Sequence, residues 1–435
     1  MAAGLTGYRL GRGPARRAWQ PRGPGPAPAG GRDALGFFVA ALVVYVGTCP
    51  DPTPYDQYAR LAEAVLQGSL SLPSRPPHLE MAEYAGRAYF TNPPSPAVLL
   101  LPIVWLMKLE PIATWLSGFN NGWPIQLGYG QTGLSLFLGA LNVALARVAL
   151  GRIPLSRRGA NWGAVLFGFG SIAWYHATIG SVWYLAQVVH ATAMWLLMVE
   201  FLGRARPGLL GLWLAVAFWC RLETAVAVPF LLVACHERWL YPMTDEIVPR
   251  LRWRWLFAMA APLVGVLMLN SAYNYARFGV FSNAAYAVLL SKGDPLFAQG
   301  HLHWSYWPRH IHVLFKAYPI FLEEFPWAVP SVGGTAIWIT TPAFIYAFRA
   351  PLDRLTAACW LGIALFMSVL LLHGGTGMTQ FGYRFALDFY PLLTILTMRG
   401  MDRPLRWWHL VLLLASVLVN VWGVATLNLL QIQRL

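Results

Sequence analysis

Charged side chains are scarce in this 435-residue chain. Lys, Arg, Asp and Glu together make up 11% of it, less than half the share of about 25% usual in soluble globular proteins. Hydrophobic residues make up 57%. A soluble chain of this length needs a far more polar surface, so the composition excludes a soluble enzyme and a disordered protein. Cysteine is rare as well. Cys49, Cys220, Cys235 and Cys359 are scattered, with no C-x-x-C spacing; this excludes a disulfide scaffold and reads as small buried hydrophobes. Lysine occurs only at Lys108, Lys292 and Lys316, a bias toward arginine that reads as genome composition.

What is present is apolar sequence in long runs. The composition therefore points to an all-α, polytopic transmembrane helical protein. The net charge of +14 does not imply nucleic acid, because the arginines sit in short clusters between apolar segments, as in cytoplasmic loops of membrane proteins. Residues 1–33 form a Gly/Pro/Arg tail whose composition predicts disorder and whose charge predicts a cytoplasmic N-terminus. The apolar run 34–48 reads as an uncleaved signal anchor, since Cys49-Pro50-Asp51 is a poor cleavage site. Further apolar stretches lie near 126–147, 159–176, 184–203, 207–220, 224–236, 254–275, 327–348, 355–373, 384–399 and 407–428, about eleven spans in all. Several fall short of the roughly 20 residues that a straight span needs.

Arginine orients them. Arg147, Arg152, Arg157 and Arg158, then Arg204 and Arg206, then Arg238 to Arg254, then Arg349 and Arg354, then Arg399, Arg403 and Arg406 share one face if every second connection is cytoplasmic. This requires that 94–124 does not cross; its apolar core, 97–107, suits an interfacial or re-entrant segment. It also requires that 207–236 break into two short helices with Arg221 and Glu223 at an outer tip. Residues 49–125 then form a large first outer loop containing short helices, and 276–326 a second. Residues 34–435 read as a single membrane domain.

The polar residues hardest to explain structurally collect on that outer face. In the first loop they are Asp51, Asp56, Arg60, Glu63, Arg75, His78, Glu80, Glu83 and Arg87. Asp56 opens a helical stretch in which Leu61, Ala62, Val65 and Leu66 make an apolar stripe and Gly68 suits the stop. Its position fits an N-cap; it is equally a carboxylate just past the first span, placed to act as a base on an acceptor hydroxyl. In the second loop, His301-x-His303 and His310-x-His312 invite a metal reading. No cysteine joins them, and Trp304, Tyr306 and Trp307 read as an interfacial aromatic belt instead.

Ordered landmarks carry a resemblance. They are Asp56 with its D-x-Y-x-x-L-A-x-x-x-L-x-G stretch; Gly86-Arg87-Ala88-Tyr89 leading to Pro93-Pro94-Ser95-Pro96; Arg221; Tyr273-Asn274-Tyr275-Ala276-Arg277-Phe278-Gly279; and Gln380-Phe381-Gly382-Tyr383-Arg384-Phe385. Their order along the expected topology resembles the GT-C superfamily of membrane glycosyltransferases, in particular the branch of protein mannosyltransferases and aminoarabinose transferases. The resemblance implies transfer of a sugar from a polyprenyl-phosphate donor to a glycan, lipid or protein acceptor at the extracytoplasmic face of the cell (inner or plasma) membrane. An acidic residue of the first outer loop would deprotonate or position the acceptor, and cations would hold the leaving phosphate. Carried over, Asp56 matches the acidic position with Asp51 in reserve. Arg384, Arg221 and Arg277 match the phosphate-binding cations, with Tyr383 beside Arg384 and Lys292 as a further phosphate candidate. Asp388, four residues beyond Arg384, suits a salt-bridge partner for it.

One departure stands out. Many relatives place a second acidic residue in the outer connection between the third and fourth spans, but 174–184 contains no carboxylate; His176 is its polar residue. No cofactor is implied with certainty, and a divalent metal held by two carboxylates is put in doubt. The rival class is a transporter or lipid flippase without chemistry, for which inverted repeats and polar residues at mid-membrane depth are expected. A structural scaffold is the third. No repeat is visible, and the polar residues bunch at one face.

Overall fold

The computed structural model describes residues 31–72, 81–118, 126–241, 250–291, 293 and 295–432. Most of the basic tail, together with Arg75, His78, Glu80, Lys292 and Asp294, lies outside the described residues.

The first helix, α1 (Gly31–Gly47), begins three residues before the apolar run. The Asp56 stretch forms α2 (Gln57–Leu66), whose apolar side, Tyr58, Leu61 and Ala62, is buried. An antiparallel hairpin of β1 (Met81–Tyr84) and β2 (Arg87–Phe90) follows. Ala85 and Gly86 between its strands both have positive φ, +50° and +73°, the paired left-handed residues of a tight two-residue hairpin turn. Next come α3 (Ser95–Met107) and α4 (Glu110–Gly118), which meet at 83°. The short apolar run expected at the interface thus ends in a sharp bend at Lys108 and Leu109.

The body of the protein is α5 (Leu127–Leu150), α6 (Arg157–Phe169), α7 (Ala173–Ile179), α8 (Val182–Phe201) and α9 (Pro207–Cys220). At Arg221 the backbone turns extended, and a 3₁₀ turn, Leu222–Ala227, leads into α10 (Val228–Ala234), so the expected break in 207–236 is present. After the short α11 (His236–Trp239) come α12 (Trp253–Phe278), α13 (Ala284–Leu290), α14 (Trp307–Phe315) and α15 (Ile337–Thr340). Then come α16 (Arg354–Leu370), α17 (Tyr390–Gly400) and α18 (Trp407–Val424).

Among the described residues four helices are long and apolar enough to cross a membrane: α5, α8, α12 and α18 with its continuation to Leu429. The bent pair α3 and α4 makes a fifth if it is one span. Shorter apolar helices, α9, Leu222–Ala234 and α16, accompany them. The chain is a multi-pass integral membrane protein by this measure. Helix α8 is its axis, with 83% of its apolar window buried, whereas only 6% of the window of α12 is buried and that helix packs against α9. The α9–α12 seam is close: a Cβ on Gly211 would lie 2.0 Å from the Met259 carbonyl oxygen, the small-residue contact by which membrane helices approach. Buried polar side chains satisfy backbone groups across other seams. Tyr45 donates to the Gly168 carbonyl at 2.6 Å, Asn142 to that of Val188 at 3.1 Å and Asn420 to that of Thr340 at 2.7 Å.

At one end of the bundle the arginine clusters are paired. Asp33 takes Arg157 and Arg147, Glu200 takes Arg206, and Asp353 takes Arg399. The hydrogen bond from Arg157, foremost, holds the Asp33 carboxyl at about 2. These pairs lie at the C-terminal ends of α5, α8 and α17 and tie α1 to α5 and α6. Trp183 at the start of α8 and Glu200 near its end are 17 residues apart, about 25 Å along a helix. What gathers around Trp183 is therefore at the opposite end from the arginine clusters.

Candidate active site

A cavity of about 460 Å³ opens at that opposite end. Its walls come from four separated parts of the chain: Trp183 and Ala186 on α8, Cys220 to Glu223 at the α9 break, Tyr286, His301 and Leu302 after α12, and His373, Arg384 and Phe385 between α16 and α17. Asn92 and Pro93, just ahead of α3, and Tyr58 on α2 also line it.

Its electrostatic centre is a pair of guanidiniums around one phenyl ring. The Arg221 guanidinium lies 5.2 Å from the Phe385 ring centre and that of Arg384 lies 5.0 Å from it, Arg384 also facing Trp183 at 6.0 Å. Aromatic faces attract such cations through the ring quadrupole. Arg221 is fixed because α9 stops there. Its Nη2 bonds Asp388 at 2.9 Å and also pairs with Glu223. Burial opposes its charge; the carboxylates of Asp388 and Glu223 overcome that and keep it cationic. Asp388 is fully buried behind it, its other oxygen 3.4 Å from His190 Nδ1. Asp388 therefore partners Arg221, not Arg384 as its spacing suggested. Arg384 lies against Gly377 (φ +86°), where a Cβ would meet its Nε at 2.9 Å. Its backbone N–H donates to Gln380 Oε1 at 3.1 Å, and Gln380 in turn donates to the carbonyl of Gly333.

The other residues singled out in the sequence are elsewhere. Asp56 precedes α2 as its N-cap residue, makes no side-chain capping bond and pairs with Arg60 instead; it is 4% exposed and outside the cavity lining, although Tyr58, two residues on, is part of it. Asp51 is exposed and also outside the lining. Arg277 does not line the cavity. It donates to the Phe90 carbonyl and to Asn274 Oδ1, both at 2.8 Å, and lies 3.7 Å over the Tyr273 ring. Phe278 packs on Tyr84 and Tyr89. The Gly86–Tyr89 and Tyr273–Gly279 landmarks are thus two halves of one contact between the hairpin and the end of α12. Tyr383 stands behind the wall and bonds His310 Nδ1 at 2.7 Å. His310 Nε2 donates to the His373 carbonyl, so its neutral ring accepts from Tyr383. Burial pushes His310 down to about 4.

Sequence reasoning passed over Tyr286 and His373, weighed His301 only as a metal ligand, and noted Glu223 only beside Arg221 at the outer tip. Tyr286 and His301 stack with ring centres 4.4 Å apart, and His301 meets His373 edge-on at 5.0 Å. Burial lowers His301 from its ordinary value, with Glu223 acting against that. His176 is buried, its Nδ1 2.8 Å from the Ile172 carbonyl. The four histidines of 301–312 do not converge, and among the described residues no group of three or more His, Cys, Asp or Glu is placed to hold a metal ion. Glu223, already paired with Arg221, and Asp388, sealed behind it, do not form a two-carboxylate metal cradle.

The arrangement is a chamber with two guanidiniums at its centre and a largely apolar wall. Among solved structures of similar fold are the oligosaccharyltransferase AglB from Archaeoglobus fulgidus in complex with an inhibitory peptide and a dolichol-phosphate (12% identity, TM-score 0.45, 92% of this chain and 55% of that one). Another is ArnT from Cupriavidus metallidurans bound to undecaprenyl phosphate (13% identity, TM-score 0.48, 86% of this chain and 60% of that one). The chain therefore spans less than two thirds of the length of either. No family model and no curated protein matches it.

Proposed function

We propose that the protein is a membrane glycosyltransferase that moves a sugar from a polyprenyl-phosphate donor to a glycan, lipid or protein acceptor at the extracytoplasmic face of the cell membrane. The observation that carries this is the convergence of Arg221 and Arg384, 163 residues apart in sequence, on one Phe385 ring in a chamber whose remaining wall is largely apolar. A phosphodiester is a match for two such guanidiniums, each able to pair two of its oxygens, while an isoprenoid chain suits an apolar wall. In direct displacement, an acceptor oxygen attacks the anomeric carbon as the lipid phosphate leaves, and the arginines stabilise charge as it develops on the leaving oxygen. In the proposed topology of about eleven crossings the N-terminus is cytoplasmic and the paired arginine clusters face inward. The base implied by the resemblance is Asp56, with Asp51 behind it; neither lines the chamber, so the proposal rests on the cations.

Undecaprenyl phosphate binding to the purified full-length protein in detergent tests it. Arg384→Gln should weaken binding about tenfold or more, an amount in line with one charge-assisted pair of hydrogen bonds. Equal affinity in wild type and variant would remove the phosphate from this chamber. A flippase would bind the lipid equally well but release no sugar when membrane acceptors are added.

A further inference from the structure

The proposed reaction needs a group to take the acceptor's proton, and the chamber contains one. Among the described lining residues Glu223 is the sole carboxylate. It stands on the 3₁₀ turn that follows the α9 break, with its side chain 21% exposed and paired to Arg221. The two other acids in question are differently placed. Asp388 has no exposed side-chain surface and lies behind Arg221, and Asp56 is bound to Arg60 outside the lining. The three groups Asp388, Arg221 and Glu223 form an alternating row from the sealed interior to the chamber, so that the innermost anion fixes the cation and the cation fixes the outer anion.

We infer that Glu223 is the catalytic base of the transfer, and that Arg221 is its positioning residue as well as one of the two phosphate cations. This rests on the transferase reading above. In the step, a Glu223 oxygen accepts the proton of the acceptor hydroxyl and the acceptor oxygen forms its bond to the anomeric carbon. The bond from that carbon to the phosphate oxygen breaks, and its electron pair leaves with the polyprenyl phosphate, held between Arg221 and Arg384. No oxidant or second substrate beyond donor and acceptor is required. With no carboxylate in 174–184, the acid facing the chamber comes from the α9 break.

Two measurements on the full-length protein in membranes separate this inference from the reading beneath it. One is binding of undecaprenyl phosphate; the other is release of labelled sugar from undecaprenyl-phosphate sugars to membrane acceptors. Glu223→Gln should leave lipid binding within about threefold of wild type and lower turnover on the order of a hundredfold or more, the usual worth of a positioned base. Glu223→Asp should restore part of it. Turnover by Glu223→Gln within threefold of wild type overturns the assignment and leaves the transferase standing. Loss of lipid binding by Glu223→Gln also overturns it, since the residue would then act only by holding Arg221. Wild-type protein that transfers no sugar, with or without lipid binding, overturns both.

Discussion

Arg384 shows how much of a candidate side chain's position is set by a neighbouring glycine. Its guanidinium rests where a Cβ on Gly377 would stand 2.9 Å from Nε, on a backbone with φ of +86°. Gly377→Ala therefore strains the loop by about 1 kcal/mol or more and pushes the guanidinium off Phe385. The expected outcome is a lower melting temperature together with weaker undecaprenyl phosphate binding, whereas a purely structural glycine would lower only the first. Arg384 stood out in the sequence as a candidate, because an arginine in a Gly-rich connection between the basic clusters runs against the charge pattern of the other loops. The role of Glu223 was not. Beside Arg221 it reads as a local ion pair, and only the folding of Phe385 and His301 onto the α9 break turns that pair toward a common space.

Among elements, the contact between hairpin and α12 is the most informative. Arg277 is 5% exposed and joins the two through the Phe90 carbonyl. Arg277→Ala removes two charge-assisted hydrogen bonds and a cation–π contact, an expected loss of about 2–4 kcal/mol. Thermal unfolding in detergent measures it. Below the lowered midpoint, lipid phosphate affinity should equal that of wild type, in contrast with Arg384→Gln. This is also where sequence reasoning had least to work with: a backbone carbonyl as partner leaves no trace in residue identity, so a structural arginine and a phosphate-binding one look alike. Breaks in helices were far more legible. The charged pair Arg221 and Glu223 inside an apolar stretch, and the short run ending at Lys108, both correspond to real interruptions, because such charges are costly within a straight span.

At the scale of the whole molecule, polarity from end to end can be tested. Leu302 lines the cavity and is half exposed, and Arg158 lies at the start of α6 beside the paired arginine end. Cysteines placed at these two positions should be labelled by an impermeant thiol reagent from opposite faces of sealed vesicles, Leu302→Cys from the extracytoplasmic one. Labelling of both from one side would refute the topology. A pH effect follows from His310. Its value of about 4 is below its ordinary 6.5, so the fold favours the neutral ring. The stability it contributes is complete above about 6.5 and is lost as pH falls through about 4. Melting temperature should decline over that window, and His310→Gln should flatten the decline. The overall helical, membrane-embedded character was readable from composition alone. Helix starts were less so: α10 (Val228–Ala234) begins four residues after the expected 224, because the 3₁₀ turn Leu222–Ala227 precedes it.

The seam at Gly211 and the break at Arg221 lie on the same helix, ten residues apart, and this couples them rotationally. Each residue of an α-helix advances the azimuth by about 100°. With Gly211 wedged on Met259, one inserted or deleted residue before Cys220 would swing the guanidinium roughly a quarter turn or more out of the chamber. Helix α9 thus behaves as a key with a fixed bitting: many side chains along it are exchangeable, but its count of residues is not.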